Sequence, residues 1–443
     1  MDRRKVKRSA IISQRWKIQR VFPLLCFLLL LLFGQSAPAK SCRYRVIVRD
    51  DPSNSMSIGW DQSSGSNPVL YYGPVDHGDD FRAYPMQKKP DWVVEHMGMN
   101  NHFVRLRSLM PNTAYYFVIH DSEGVSQRYW FKTLPNNSQQ PLSILSGGDS
   151  RRAEWDTSSY EPRVLSNIMV SKLRPHVVTF AGDFTNRNTS AQWRCWFDDW
   201  QYTTGPDGRM FPILPARGNH ETENEDVMNL FDSPHPQIYF ATALGGDLIR
   251  FYTLNTNIAI LGEQTDWFKQ DLEANHNQYY WEIAQYHHPI APHQSSKTYK
   301  ILQYRYWAPL FTQYHVQLAI ECDSHVAKNS WPIIPSNRWY ADGGFVRNDV
   351  KGTVFTGEGS WAITRMADVE YRWTRESGSF VQFKWLKVSK EQIELRTVIT
   401  SNAREVVAVS DDARFVIPKD LNLWKTRFGD VYIIDRPNVP GAP

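Results

Sequence analysis

Carboxylate, amide and imidazole side chains recur in five short blocks: Gly148-Asp149-Ser150-Arg151, Gly182-Asp183-Phe184-Thr185-Asn186, Gly218-Asn219-His220-Glu221, His287-His288-Pro289 and Cys322-Asp323-Ser324-His325. Asp149 and Asp183 each follow a glycine at the end of an apolar β run. In an open α/β sheet, ligands bind beyond the carboxyl ends of the strands. Two carboxylates brought together there repel unless a cation lies between them. A single Gly-Asp pair is more simply a loop cap; five blocks in this order favour metal ligation. Asn219 offers a neutral amide oxygen, with the His220 imidazole beside it. Of His287 and His288, the first is taken as the ligand and the second as a packed or capping residue. Asp323 and His325 are two apart, so an extended backbone puts both on one face. Cys322 reads as a small buried hydrophobe ahead of them.

The elements that must carry these blocks follow from hydrophobic periodicity. Apolar β runs at 142–146, 176–181, 211–215, 280–285 and 316–321 each end just before a block. Helical spacing at 159–172, 191–201, 226–231, 265–273 and 304–314 alternates with them, which predicts an α/β layered domain. Further strands are predicted at 238–240, 249–254 and 258–261, and in the tail at 380–417 and 430–435. Residues 42–135 read as short strands and turns, with Tyr115 placed for a tyrosine corner, as in a fibronectin-like β-sandwich. Residues 134–141 are the linker and 141–435 the α/β domain. Residues 436–443 form a Pro-rich tail. Trp193, Trp196 and Trp200 read as core residues rather than a sugar platform. The glycines of Gly357-Glu358-Gly359-Ser360-Trp361 read as turn chemistry.

Residues 1–39 stand apart. Eight basic groups, among them Arg3, Arg4 and Arg20, precede the apolar run 21–33, and Ala37-Pro38-Ala39 follows it. That run is shorter than the roughly 20 residues of a membrane span, so a secretory signal peptide fits best, with an uncleaved anchor as the alternative. The leader carries a net +7 once Asp2 is counted; the whole chain is +4, which leaves the remainder near −3. The basic balance therefore belongs to the export signal, and nucleic-acid binding is not expected. Cys42, Cys195 and Cys322 remain beyond it, enough for at most one unassigned disulfide.

The series of blocks resembles the calcineurin-like metallophosphoesterases, with Gly-Asn-His-Glu the most specific block. A preceding β-sandwich is similar to the arrangement in purple acid phosphatases. The resemblance implies a four-layer α/β sandwich with mixed sheets after an immunoglobulin- or fibronectin-like domain. It also implies two divalent or trivalent metal ions, from among Fe, Mn, Zn, Mg and Ca. Asp183 would bridge them, Asp149 and His325 would hold the first, and Asn219, His287 and Asp323 the second. A hydroxide between the metals would attack phosphorus in line, with His220 near the leaving oxygen. The substrate class implied is a phosphate monoester. A phosphodiesterase, or a binding protein with a degenerate metal site, is the alternative.

Three residues depart from the family pattern. Arg151 stands where many members have a metal-binding His, so the first metal loses a side-chain ligand. Asn186 replaces the Tyr that colours purple acid phosphatases. Asp323 replaces a His, which makes the second site harder and favours Mn²⁺, Mg²⁺ or Ca²⁺. Arg151, with Arg152, either orients the substrate phosphate or makes a structural ion pair.

Overall fold

The computed structural model describes residues 40–151 and 160–436, so the leader, Arg152 and residues 437–443 lie outside it. Strands Leu142–Gly147, Val177–Phe180 and Ile213–Pro215 run parallel, with Ile144 opposite Val177 and Val178 opposite Ile213. Their side chains alternate between two cores: Ile144, Val177 and Leu214 face one way, and Leu145, Val178 and Ile213 the other. The second face is covered by helices Tyr160–Leu173 and Ser190–Trp200. Trp193, Trp196 and Trp200 recur at helical spacing and pack with Phe180, Phe184 and Phe231, so all three are core.

A second sheet repeats the plan. Ile249–Thr253, Trp281–Gln285, Leu318–Glu321 and Val354–Gly357 run parallel. Helices Glu263–Asn275 and Ile301–Gln313 cover its outer face through Phe268, Leu272, Trp307 and Phe311. Its inner face, with Ile249, Phe251, Ile283 and Leu318, meets Ile144, Val177 and Leu214 of the first sheet. The layers are therefore helix, sheet, sheet, helix, an α/β sandwich with mixed sheets.

The first sheet extends both ways. Gln382–Val388 pairs antiparallel with Leu142–Gly147, and Gln392–Ile399 and Tyr432–Asp435 continue beyond it. On the other side Ile47 pairs with Ile213, so the N-terminal strands Ser41–Ile47, Met56–Gln62, Met99–Leu106 and Trp92–His96 complete a ten-stranded sheet. The N-terminal all-β domain closes with a four-stranded sheet over Val46, Ile58, Trp60, Phe117 and Phe131. The Tyr115 hydroxyl accepts the Met110 N–H at 2.9 Å, the expected tyrosine corner.

The strands differ from expectation in three places: the one expected at 238–240 begins only at Phe240 and runs to Leu244. Residues 258–261 form turns, because Asn255 Oδ1 takes the Asn257 N–H and diverts the backbone from a ladder. Most of 400–417 is irregular, held by Asp411, which pairs with Arg174, Arg209 and Arg414. No disulfide joins Cys42, Cys195 and Cys322 to one another. Among the described residues no helix is long and apolar enough to cross a membrane.

Candidate metal centre

Asp149, Asp183 and Asn219 follow the carboxyl ends of three parallel strands of the first sheet, and His287, Asp323 and His325 follow two of the second. Because the sheets lie face to face, both sets of loops reach the same end of the sandwich. His287 Nε2 lies 3.2 Å from Asp183 Oδ1, 3.0 Å from Asn219 Oδ1 and 3.7 Å from Asp323 Oδ1. His325 Nε2 lies 3.1 Å from Asp149 Oδ1. The six predicted ligands thus meet as one cluster, joined through Asp183.

The backbone that holds them is strained. Asp149, Asp183, Asp323 and His325 all have φ between +58° and +71°, a left-handed region costly for residues with a Cβ and common at functional sites. The surrounding contacts hold them there. Asp183 and Gly218 donate their N–H groups to one Glu221 carboxylate oxygen and Phe184 donates to the other, which ties two ligand loops together. The His220 N–H in turn donates to Asp183 Oδ1 at 3.0 Å. The Asp323 N–H donates to Asp149 Oδ2 at 2.8 Å, linking the two sheets. A Cβ on Gly359 would lie 1.8 Å from Asp149 Oδ2, so this glycine is required by close approach at the site; turn chemistry alone does not explain it.

The donor set fits a cation. Asp149, Asp183 and His325 each offer a ligand atom, all within 4.8 Å of one another. Asp149 Oδ1 and Asp183 Oδ2 are buried with no hydrogen-bond partner among the described residues, which is costly for carboxylate oxygens unless a cation joins them. His287 Nδ1 donates to the Ala181 carbonyl at 2.8 Å, leaving Nε2 as the nitrogen that faces three oxygens. A neutral imidazole in that tautomer presents its lone pair to them, an arrangement suited to metal ligation. Without an ion, burial opposes protonation of His287, but the carboxylates of Asp183, Asp149 and Asp323 raise its pKa to about 10.

The departures from the family pattern have partners. Arg151 Nη1 donates to Asn186 Oδ1 at 3.1 Å and to His220 Nε2 at 2.8 Å, and Nη2 donates to His325 Nε2 at 3.1 Å. Its Nε lies 3.6 Å from Asp183 Oδ2. His220 Nδ1 donates to the Asn186 carbonyl at 2.6 Å, so its Nε2 is the acceptor toward Arg151. Asp323 holds Lys297 Nζ on Oδ1 at 2.5 Å. Lys297 escapes sequence reasoning because it lies in the polar loop Gln294-Ser295-Ser296-Lys297, where a lysine signals nothing.

A buried ionic cluster lies behind the Asp323 loop, and sequence reasoning missed it too. Lys328 Nζ binds Glu321 Oε2 at 2.5 Å and Glu358 Oε1 at 2.6 Å. Glu321 ends the strand before the 322–326 loop and Lys328 lies in the strand after it, so their pair clamps the loop's two ends. Glu358 also accepts the His293 N–H, and Glu321 accepts the Ile290 N–H and the Tyr286 hydroxyl.

Comparison with known proteins agrees with this construction. The sequence matches the purple acid phosphatase N-terminal domain over residues 42–133 and the calcineurin-like phosphoesterase domain over residues 156–327. A curated relative, acid phosphatase type 7 of Homo sapiens, is 23% identical over 347 residues, covering 70% of this chain and 76% of that protein. The fold is similar to the purple acid phosphatase PPD1 from seeds of yellow lupin (Lupinus luteus), with a TM-score of 0.68 at 14% identity, covering 90% of this chain and 75% of that one. It is also similar to PhoD, with a TM-score of 0.63 at 12% identity, covering 93% and 94% of the two chains. The chain belongs to the calcineurin-like metallophosphoesterases, a class built on a dinuclear metal centre. Within them it is purple acid phosphatase-like, with the N-terminal domain of that group, and it is a phosphoric ester hydrolase.

Proposed function

We propose that the chain is an exported hydrolase of phosphate monoesters. The observation that carries the catalytic part is the meeting of six ligand-type side chains from two sheets around orphaned carboxylate oxygens. In this reading Asp149, Asp183 and His325 would hold one ion, and Asp183, Asn219, His287 and Asp323 a second. Such ions would supply Lewis acidity and lower the pKa of water. Arg151 pairs with a phosphate oxygen through its fork of donors. When the phosphate takes over Arg151 Nη1, the lone pair of His220 Nε2 is freed to take up a proton from solvent and pass it to the leaving oxygen. The export reading rests on residues 1–39 and their basic, apolar and small-residue order.

The test is hydrolysis of para-nitrophenyl phosphate against its bis ester, on protein stripped of metal and refilled with Mn²⁺, Fe, Zn²⁺, Mg²⁺ or Ca²⁺. Faster turnover of the monoester is expected; preference for the bis ester would make the chain a phosphodiesterase, and no turnover with any metal would defeat both. Asp183→Asn, at the residue shared by both halves, is expected to remove turnover and bound metal together.

A further inference from the structure

The polar groups of the site are sorted by depth. The side chains of Asp149, Asp183, Asp323, His287 and His325 are at most 5% exposed, whereas His220, Lys297 and Arg151 are 23%, 18% and 11% exposed. The acceptors and ligands form the floor, and the two permanent cations, with one imidazole, stand above it. Lys297 comes from a loop of the second sheet and meets Asp323, whereas Arg151 comes from a loop of the first and meets Asp183. Its loop is pinned: Ser295 binds Asp368 through its N–H and hydroxyl, and the Ser296 hydroxyl accepts from Arg365 Nη1 at 2.9 Å. Arg365 is itself anchored, its N–H donating to the His325 carbonyl at 2.9 Å. The ammonium is therefore placed by its surroundings, on the carboxylate oxygen nearest His287.

We propose that Lys297 is a substrate-contacting residue, receiving the phosphoryl group together with Arg151 and selecting dianionic monoesters over monoanionic diesters; this rests on the phosphoesterase reading above. Asp323 and Lys297 then act as a unit. Where the family has a neutral imidazole, this chain has a carboxylate with its own ammonium, so local charge is conserved and a donor is gained. Two fixed cations attract a dianion more strongly than a monoanion, because the Coulomb energy scales with the product of the charges.

The experiment compares wild type, Lys297→Gln and Lys297→Arg at matched Mn²⁺ content. Calorimetric titration measures binding of inorganic phosphate, and turnover is followed on para-nitrophenyl phosphate and its bis ester. Lys297→Gln is expected to weaken phosphate binding about tenfold and to lower kcat/KM for the monoester by a similar factor, with the diester changed less than about threefold. Lys297→Arg is expected to keep phosphate affinity. Unchanged phosphate affinity in Lys297→Gln, an equal fall for both esters, or an arginine variant as weak as the glutamine one would overturn the proposal. A wild type that binds no phosphate and turns over neither ester would instead sink the phosphoesterase reading itself.

Discussion

Arg151 sits within hydrogen-bond reach of three residues that belong to the site by other criteria: Asn186, His220 and His325. Its contact with Asn186 joins two of the three departures from the family pattern, and the third, Asp323, is joined to Lys297. Arg151→Ala is therefore expected to raise KM and lower kcat, with kcat/KM falling about tenfold to a hundredfold, the loss of one or two charged hydrogen bonds. Steady-state kinetics on the monoester checks this; unchanged kcat and KM would leave Arg151 a structural ion pair. All eight candidate site residues were legible as residue types at strand ends, five of them in glycine-led blocks (Asp149, Arg151, Asp183, Asn219 and His220), and all eight come together. Lys297, Glu358 and Lys328 were not, because their chemistry depends on partners 26, 65 and 7 residues away.

At the scale of elements, the 322–326 loop shows how strain is supported. Asp323 and His325 occupy left-handed backbone, and the loop ends are clamped by Glu321 and Lys328, with Glu358 on the same ammonium. Burial opposes ionisation of Glu358, but Lys328 and His293 hold its pKa at about 2, below the ordinary 4.5. A depressed carboxylate stabilises the fold above its unfolded-state pKa, and that contribution is lost as pH falls from about 4.5 toward 2. It amounts to roughly 3 kcal/mol. Glu358→Gln is expected to be less stable at neutral pH and to show a shallower loss of stability in acid, measured by denaturant unfolding across that range. A parallel pH profile for variant and wild type would count against the network. The strands that end in these loops were readable because a period of two with dense apolar residues has few alternatives. Residues 258–261 were misread because a short apolar run does not show that the Thr265 hydroxyl already satisfies the Ile260 carbonyl.

At the scale of the molecule, the N-terminal domain is a continuation of the first sheet. Besides the Ile47–Ile213 pairing, Arg105 and Ser57 bind the buried Asp232, and Arg45 donates to the Leu230 carbonyl at 2.8 Å. Removing residues 40–133 would expose the Ile213–Pro215 edge and leave Asp232 without these partners. The shortened chain is expected to aggregate or to melt well below the full one, and the full chain to unfold in a single thermal transition. A soluble truncation with unchanged melting temperature would show that the two parts are independent.

Local pattern was enough to specify the two fold classes in order, the strand ends and the residue types of the centre, because periodicity and glycine-bounded blocks are properties of neighbouring residues. It could not specify that the tail hairpin pairs with Leu142–Gly147, that Ile47 joins Ile213, or that Arg151 meets Asp183 while Lys297 meets Asp323. Those facts depend on strand pairing and on sheet packing, which bring together residues more than a hundred positions apart, and no signal in the chain between them records the contact.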